Sequence, residues 1–282
     1  MIRKKILIPI YNDWSSLEIL LNNLDEKLKQ DDYEIIIVND NSSQKKNFFF
    51  NKFKKIKNIK VLNLLKNLGS QGCIAVGLKF LSNLNESFHL TIMDGDGEDD
   101  PKHVNKLFDL SEKFPDLIIT SNRLNRQDGK LFQFFYKIHL VLTFLLTFKW
   151  INFGNFSCLH SSSLDQVQNN DEVGIAVSSA IIKNCYTYKS PSKRLKRYKD
   201  NSKVSYFGLA LHSLRVLSVF YKTVIFSSLF YFGLSLLLNF TTTTFNYILF
   251  VIILFLNIFL FMIYRSHKIT ENLFNKVLSK DQ

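Results

Sequence analysis

Cysteine is rare in this chain of 282 residues, and Cys73, Cys158 and Cys185 form no CxxC pair. Three scattered cysteines do not make a disulfide framework, and the pattern is typical of a protein from a reducing compartment. We therefore expect the thiols to pack as small hydrophobic side chains. We also expect no signal peptide, because the basic residues 3–5 are followed by only a short apolar run before Pro9.

Two phosphate-binding signatures are absent as well. The sequence contains neither GxxxxGK followed by Ser or Thr, nor GxGxxG. These glycine-rich turns hold phosphates in P-loop ATPases and in dinucleotide-binding domains. Their absence argues against an ATPase and against a dehydrogenase.

Acidic residues are outnumbered by basic ones, 24 to 36, which gives a net charge of +12. This excess favours an anionic partner, such as nucleic acid, a phosphate-bearing substrate or a membrane surface. A basic run precedes the most apolar part of the chain: Lys183, Lys189, Lys193, Arg194, Lys196, Arg197, Lys199 and Lys203. Because it stands beside apolar runs without an interleaved aromatic platform, we expect membrane lipids and no nucleic acid as partners.

The first half of the chain alternates short buried strands with amphipathic helices. Strands are predicted near residues 5–10, 34–38, 59–64, 88–93 and 117–120. This alternation predicts parallel βαβ units, whose ligands bind beyond the carboxyl ends of the strands. Polar residues follow four of these strand ends, namely Asp13, Asn39 with Asp40, Asn67 with Gly69, and Asp94 with Asp96. We therefore expect a nucleotide-type site at this edge.

The most acidic stretch of the chain is residues 91–101, TIMDGDGEDDP. Asp94 and Asp96 would share a face of a continuing strand, and the glycines allow the backbone to approach a ligand closely. Hard carboxylate oxygens suit Mg²⁺ or Mn²⁺. The alternative is an acidic turn in which Asp100 caps a helix that begins at Pro101.

Several motifs together carry a resemblance. They are PIYND at 9–13, VNDNS at 38–42, NLG at 67–69, MDGDGEDDP at 93–101, SNRLNRQD at 121–128 and RYKDNSK at 197–203. In this order they resemble the family 2 glycosyltransferases of GT-A fold over about residues 5–215. The likeness is to the polyprenyl-phosphate branch, such as dolichyl-phosphate mannose synthase and undecaprenyl-phosphate glucosyltransferases.

The resemblance implies a role for each matching residue. The nucleotide sugar would contact Pro9, Tyr11, Asp13, Asn39, Asp40, Asn67, Gly69 and Asp94. Mg²⁺ or Mn²⁺ would be held by Asp94, Asp96 and Glu98. Catalytic roles fall to Asp96, Arg123 and Arg126, and the acceptor phosphate would contact Arg123, Arg126, Arg197, Ser202 and Lys203.

The sequence departs from the family pattern at several motif positions. Asp13 stands where Glu is usual, Asn39 and Asn41 alter the VDDGS motif, Glu98 replaces Gln, and Asp200 replaces the Gly before SK. Asn39 loses a charge that could affect base preference. Asp200 puts an acidic group near a phosphate-binding lysine. These changes keep open a degenerate, non-catalytic binding subunit.

The acceptor is inferred from a missing carboxylate. The GDF segment of the polyprenyl-phosphate branch is here Gly154-Asn155-Phe156, with an amide in place of the acid. A hydroxyl acceptor needs a general base, whereas a phosphate monoester is already an anion. We therefore expect a polyprenyl-phosphate acceptor. A saccharide hydroxyl acceptor stays open if Asp171 or Glu172 serves as the base.

The last third of the chain carries two uncharged apolar runs, at about 223–240 and 245–264. Each approaches the roughly 20 residues that cross a bilayer, and basic residues flank both outer ends. The segment 129–150 reads as interfacial helices with aromatic and lysine anchors. We therefore expect an integral protein of the inner membrane with its catalytic domain in the cytoplasm.

The predicted organisation has four parts. Residues 1–128 form a GT-A, Rossmann-like α/β core that binds nucleotide sugar and metal. Residues 129–218 form interfacial helices and the acceptor side, 219–266 a two-helix transmembrane hairpin, and 267–282 a cytoplasmic tail. The resulting hypothesis is an inverting glycosyltransferase that moves a sugar from a UDP- or GDP-linked donor to a polyprenyl phosphate. Whether it forms a homo-oligomer stays open.

Overall fold

The chain divides into two compact units. The computed structural model describes residues 3–29, 32–45, 53–124, 130–168, 172–199, 206–238 and 242–267. The first unit, here called the sheet unit, comprises the described residues within 1–127 and 152–203. The second, the helical unit, comprises residues 128–151 and 204–268.

A seven-stranded sheet forms the centre of the sheet unit. Its strands are β1 (Arg3–Ile10), β2 (Tyr33–Asn39), β3 (Ile56–Asn63), β4 (Phe88–Ile92), β5 (Ile118–Leu124), β6 (Phe153–His160) and β7 (Thr187–Lys193). They lie in the order β3-β2-β1-β4-β6-β5-β7. Strands β3, β2, β1 and β4 are parallel, β6 runs antiparallel to β4 and β5, and β7 is parallel to β5. The sheet is therefore mixed.

Helices cover both faces of this sheet. The helices of the unit are α1 (Trp14–Lys27), α2 (Gly69–Ser82), α3 (Pro101–Lys113), α5 (Leu164–Gln168) and α6 (Val177–Asn184). On one face, Ile6 and Ile8 of β1 belong to a core with Leu20 of α1 and Phe108 of α3. Because strands covered on both sides bury successive side chains, β1 and β2 are near-continuous apolar runs.

The other face of β1 packs closely against α2. Leu7 is fully buried, and a Cβ atom added to Gly77 of α2 would lie 2.4 Å from its Cδ1 and 3.1 Å from Cγ2 of Val38. A glycine at this helical position therefore allows α2 to approach the sheet closely. The position of α2 matters because its first turn contributes to the site described below.

The five strands predicted from the sequence are present, and the α/β, GT-A-like fold class is confirmed. Two further strands, β6 and β7, were not predicted. Strand β6 mixes Gly, Asn, Ser and His with apolar residues, so its pattern is weak. Strand β7, TYKSPSK, is a polar edge strand, which is where a proline such as Pro191 is tolerated. The sheet unit therefore extends beyond the predicted boundary at residue 128.

The helical unit contains α4 (Lys130–Thr147), α7 (Tyr206–Ser218), α8 (Tyr221–Leu237) and α9 (Thr243–His267). In the described part of the chain, one helix by itself is long and apolar enough to cross a membrane, at Thr243–Ser266. Helix α8 passes the same test only together with α7, across a bend of 92°. The second predicted span thus agrees with α9, while the two-helix hairpin stays a prediction.

The close approach of α2 to β1 gives a stability prediction. We expect Gly77→Ala to destabilise the protein by about 1–3 kcal/mol, because the added methyl group overpacks a filled core. Gly233→Ala in α8 is the control, since its added Cβ has no atom within 4 Å. That change should be neutral or stabilising by up to about 1 kcal/mol. Thermal unfolding of both variants tests this; equal melting temperatures would contradict the packing argument.

Candidate active site

The acidic stretch predicted as the centre of the site forms a loop after β4, here called the acidic loop, residues 93–100. The backbone N–H of Met93 continues the strand pairing by donating to the carbonyl of Leu7 at 3.1 Å. A Cβ atom added to Gly95 would lie 3.3 Å from the carbonyl oxygen of Pro9. The loop therefore passes directly against the end of β1, and Pro9 borders it.

Two carboxylates fix the conformation of the acidic loop. The N–H of Asp94 donates to Oδ2 of Asp99, which is buried, at 3.0 Å. Asp100 caps α3 by accepting from the N–H of Lys102 at 2.9 Å, with Pro101 at the first helical position. The capping interpretation therefore holds for Asp100. Asp94, Asp96 and Glu98 remain as the side chains with a predicted binding role.

A basic segment after β7 lies along the acidic loop. In this arginine segment, residues 194–198, Arg194 pairs with Glu98. Nη2 of Arg197 is 3.0 Å from Oδ2 of Asp96, and its Nε is 3.4 Å from Oε1 of Glu98. The structure thus brings Arg197, predicted at the acceptor phosphate, to the predicted metal ligands. Arg194 was not predicted as a site residue, because of these two arginines only Arg197 belongs to the RYKDNSK motif.

Backbone bonds hold the arginine segment in place. The N–H of Leu195 donates to the carbonyl of Glu98 at 2.9 Å, and that of Tyr198 to the carbonyl of Asp96 at 3.0 Å. The hydroxyl of Tyr198 accepts from Nδ2 of Asn23 at 2.9 Å. Its ring covers Gly97, where φ is +88° and an added Cβ would be 2.4 Å from the ring. Only glycine suits both the conformation and the contact.

The charges in this loop are incompletely balanced. Burial raises the pKa of Asp96 to about 6, and the neighbouring Asp94 and Glu98 add to the shift. The N–H of Glu98, which donates to Oδ1 of Asp96 at 3.0 Å, and the Arg197 guanidinium act in the opposite direction. The remaining negative potential is the electrostatic environment that a divalent cation would relieve.

The side chains fit a divalent cation at Asp94 and Asp96 better than at Glu98. Glu98 has a guanidinium group against each of its two oxygens, from Arg194 and Arg197. Asp96 has one guanidinium group, from Arg197 against Oδ2, and its Oδ1 accepts from a backbone N–H, so less of its charge is offset. Within the described residues, no group of three His, Cys, Asp or Glu side chains is arranged as metal ligands. Mg²⁺ is commonly bound by one or two carboxylates together with substrate phosphates and water, so a preformed cage is not required.

Asp94 also receives a hydrogen bond from β6. Nδ2 of Asn155 donates to Oδ1 of Asp94 at 3.0 Å. Oδ1 of Asn155 accepts from Nε2 of Gln71 at 3.0 Å, and Oε1 of Gln71 accepts from the N–H of Val177 at 2.7 Å. Sequence reasoning noted Asn155 as a replaced acid and missed Gln71. A single buried glutamine in a helical first turn carries no motif that could have identified it.

The predicted nucleotide-binding residues gather at the ends of β1 and β2. Asp40 is buried, and its carboxylate accepts from the N–H groups of Leu68 at 2.6 Å and Gly69 at 2.9 Å. It therefore fixes the turn into α2, where Gly69 has a φ of +73°. Nδ2 of Asn67 lies 3.5 Å from the carbonyl oxygen of Asp40, so these motifs meet as predicted.

Other residues of this group also make local bonds. Asn39 donates to Oδ1 of Asn63 at 2.9 Å and accepts from the N–H of Ser42 at 3.1 Å. Asp13 caps α1 by accepting from the N–H of Ser16 at 3.3 Å. Tyr11 is 54% exposed, so its ring is open to a ligand. Tyr11 therefore has a more exposed side chain than Asp13 or Asn39.

Part of the predicted acceptor side lies outside the described residues, namely Arg126, Ser202 and Lys203, together with Asp171 and Asp200. The backbone of Arg123 is in β5, opposite Ser192 of β7. Glu172, the other candidate base, is 2% exposed and accepts from Lys183 Nζ at 2.6 Å. One oxygen of this buried carboxylate is thus engaged in an ion pair with a partly exposed lysine.

The fold and site now define a class. An acidic loop at the carboxyl end of a central strand, in a largely parallel sheet with helices on both faces, is typical of a GT-A-like α/β domain. The sequence model of the family described as "Glycosyl transferase family 2" matches residues 5–172, more than half of the chain. The chain therefore belongs to glycosyltransferase family 2, as the resemblance predicted. No curated protein sequence matches it.

Solved structures that match this chain include S. aureus TarS 1–349, at 17% identity and a TM-score of 0.44, covering 81% of this chain and 65% of that chain. TarS 1–349 in complex with UDP-GlcNAc has 14% identity and a TM-score of 0.45, covering 78% and 66%. A further S. aureus TarS structure has 14% identity and a TM-score of 0.46, covering 81% and 39%. This chain thus spans just under two thirds of the TarS 1–349 chains.

The contact between Gly97 and Tyr198 gives a prediction about the site. We expect Gly97→Ala to displace the Tyr198 ring, since its Cβ would overlap ring atoms and its φ is unfavourable for alanine. The arginine segment should loosen, and limited proteolysis near residues 194–198 should become faster. Tyr198→Leu combined with Gly97→Ala is the comparison variant, because the smaller side chain removes the overlap with the added Cβ. Unchanged proteolysis in Gly97→Ala would contradict this packing.

Proposed function

We propose that this glycosyltransferase moves a sugar from a nucleotide sugar, UDP- or GDP-linked, to a polyprenyl phosphate, with inversion at the anomeric carbon. One observation carries the proposal. The position where the related enzymes have a carboxylate holds Asn155, whose amide is hydrogen-bonded on both sides, to Asp94 and to Gln71. An amide in this arrangement cannot remove a proton, and an acceptor that is already an anion does not need it to.

The donor is proposed to bind across the ends of β1, β2 and β4. The exposed Tyr11 ring offers a surface for the base, and Asp40 with Gly69 shapes the adjoining turn. Asp94 and Asp96 would hold Mg²⁺ or Mn²⁺, which supplies positive charge to the donor diphosphate. Glu98 orients the two arginines, because its oxygens lie against Arg194 and Arg197.

The acceptor phosphate is proposed to bind guanidinium groups. Arg197 lies at the edge of the acidic loop, and the resemblance adds Arg123, Arg126, Ser202 and Lys203. A planar guanidinium binds two phosphate oxygens at once, which holds an anionic acceptor in a defined orientation. The positive charge of Arg197 also offsets the repulsion between the acceptor phosphate and the carboxylates of Asp96 and Glu98.

The proposed reaction is a single displacement. A phosphate oxygen of the acceptor attacks the anomeric carbon, and a new carbon–oxygen bond forms. The bond from that carbon to the nucleoside diphosphate breaks, and its electron pair leaves with the diphosphate oxygen. No proton has to be removed from the attacking atom, so the residues act by binding, orienting and balancing charge.

The helical unit supports a membrane location for the acceptor. Its α9 has a 24-residue stretch that is long and apolar enough to cross a membrane, with side chains such as Tyr247 and Phe255 exposed. Helix α4 exposes Phe134, Phe135 and Phe144. Nδ2 of Asn257 in α9 donates to Ser228 of α8 at 3.0 Å, the kind of polar contact that joins helices in membranes. We propose anchoring in the inner membrane with the catalytic unit in the cytoplasm.

The acceptor assignment predicts the product. Membranes containing the protein, supplied with undecaprenyl phosphate, Mg²⁺ or Mn²⁺ and radiolabelled UDP- or GDP-sugars, should move label into the lipid phase. The linkage should be labile to mild acid, as expected of a glycosyl phosphodiester. Label in a saccharide fraction would favour a hydroxyl acceptor. Nucleotide-sugar binding without turnover of any donor would favour the non-catalytic alternative.

The metal assignment predicts that substitutions at two aspartates of the acidic loop affect different properties, transfer in one case and stability in the other. Asp96→Ala should reduce transfer by about 10²-fold or more, because a ligand of the cation that balances charge at the diphosphate is lost. Asp96→Asn serves as the variant of matched size. Asp100→Ala, which removes the α3 cap, should cost about 1 kcal/mol of stability and leave transfer nearly unchanged. Transfer at the original rate by both Asp96 variants, measured in the same membranes, would refute the assignment.

A further inference from the structure

Three groups form a chain of hydrogen bonds that ends on Asp94. The backbone N–H of Val177 donates to Gln71, Gln71 donates to Asn155, and Asn155 donates to Asp94, at 2.7, 3.0 and 3.0 Å. Gln71 is 9% exposed, so its amide is largely shielded from water. We call Gln71 and Asn155 the amide relay.

The direction of the amide relay is fixed at its start. A backbone N–H can only donate, so the group of Gln71 that faces Val177 has to be the carbonyl oxygen. Nε2 of Gln71 then faces Asn155, whose carbonyl oxygen has to accept. Nδ2 of Asn155 is therefore turned towards Asp94. Each amide has one orientation that satisfies both neighbours, and the final acceptor is a carboxylate.

The start of the relay also has a structural reason. Val177 is the first residue of α6, and its cap residue, Ala176, makes no side-chain hydrogen bond. The first N–H groups of a helix have no partner inside the helix. Gln71 satisfies one of them from α2. The orientation of Gln71 is thus tied to the end of a helix, which is a rigid element.

We propose that Gln71 and Asn155 are positioning residues that hold the Asp94 carboxylate in its cation-binding orientation. The inference rests on the proposed function, in which Asp94 and Asp96 hold the divalent cation. A hydrogen bond to an ionised acceptor is stronger than one between two neutral groups, so the Asn155 amide restrains Oδ1 of the Asp94 carboxylate. Oδ2 of Asp94 then points away from Asn155. An amide at position 155 does this without adding a further negative charge beside Asp94.

A substitution at Gln71 separates this role from simple electrostatics. In Gln71→Glu the side chain can still accept from Val177, so α6 keeps its cap. It can no longer donate to Asn155, so the relay is cut at one bond. The new negative charge by itself would strengthen cation binding, whereas loss of orientation weakens it. Whether Gln71→Glu raises or lowers the affinity for the cation therefore decides between the two effects.

The test is Mn²⁺ binding to the whole chain in the presence of UDP or GDP, whichever nucleotide the protein binds, with free Mn²⁺ measured by electron paramagnetic resonance. We expect Gln71→Glu and Asn155→Ala each to weaken Mn²⁺ affinity about 10-fold or more, as outer partners of metal ligands do. The double variant should be little weaker than Asn155→Ala, because both changes interrupt one chain.

The matched control is Asn105→Asp in α3. Asn105 is a buried amide that donates to the carbonyl of Lys27 and accepts from the N–H of Lys29, at 2.8 and 3.1 Å. Its conversion to an acid should lower the melting temperature and leave Mn²⁺ affinity within about twofold. Thermal unfolding of all variants separates loss of fold from loss of binding.

The outcomes can be told apart. Unchanged or tighter Mn²⁺ binding by Gln71→Glu would overturn the relay, and so would an equal loss in Asn105→Asp. An absence of Mn²⁺ binding by the unmodified protein would overturn the metal assignment and the relay's role with it. The acceptor proposal is judged separately, by the lipid-phase transfer assay.

Discussion

The site is organised around negative charge gathered at the end of β4. Asp94, Asp96 and Glu98 follow a buried strand, and burial raises the pKa of Asp96 to about 6. The arginine segment balances part of this charge through Arg194 and Arg197, and Asn155 supplies a neutral donor to Asp94. We infer that the remaining charge is offset by a divalent cation and the groups it binds, which makes charge balance the basis of substrate binding.

Much of the fold follows from hydrophobic pattern. Strands such as β1 and β2 are apolar because helices cover both of their faces, so the sequence predicts them and the parallel order of the first half. Strands β6 and β7 are different. Strand β6 is buried between β4 and β5 yet carries polar residues such as Asn155, and β7 lies at the sheet edge with Pro191. Their place depends on long-range pairing, which local periodicity does not encode.

The site was predictable where a motif specifies local geometry. Asp100 before Pro101 predicted a helix cap, and the acidic loop and the turn at Gly69 stand at strand ends as expected. The contacts between distant segments were not predictable. Arg194 reaches Glu98 across 96 positions, and Gln71 reaches Asn155 across 84. Such partners become visible only after the sheet has brought β4, β6 and the end of β7 together.

The central claim is that Asp94 and Asp96 bind a divalent cation on the donor diphosphate while Glu98 holds the arginines. The most direct measurement is anomalous X-ray scattering from crystals of the protein grown with Mn²⁺ and UDP. The account predicts a manganese peak within coordination distance of the Asp94 and Asp96 carboxylates and of the UDP diphosphate, with Glu98 still paired to Arg194. A peak ligated by Glu98, or the absence of a peak where UDP is bound, would contradict it.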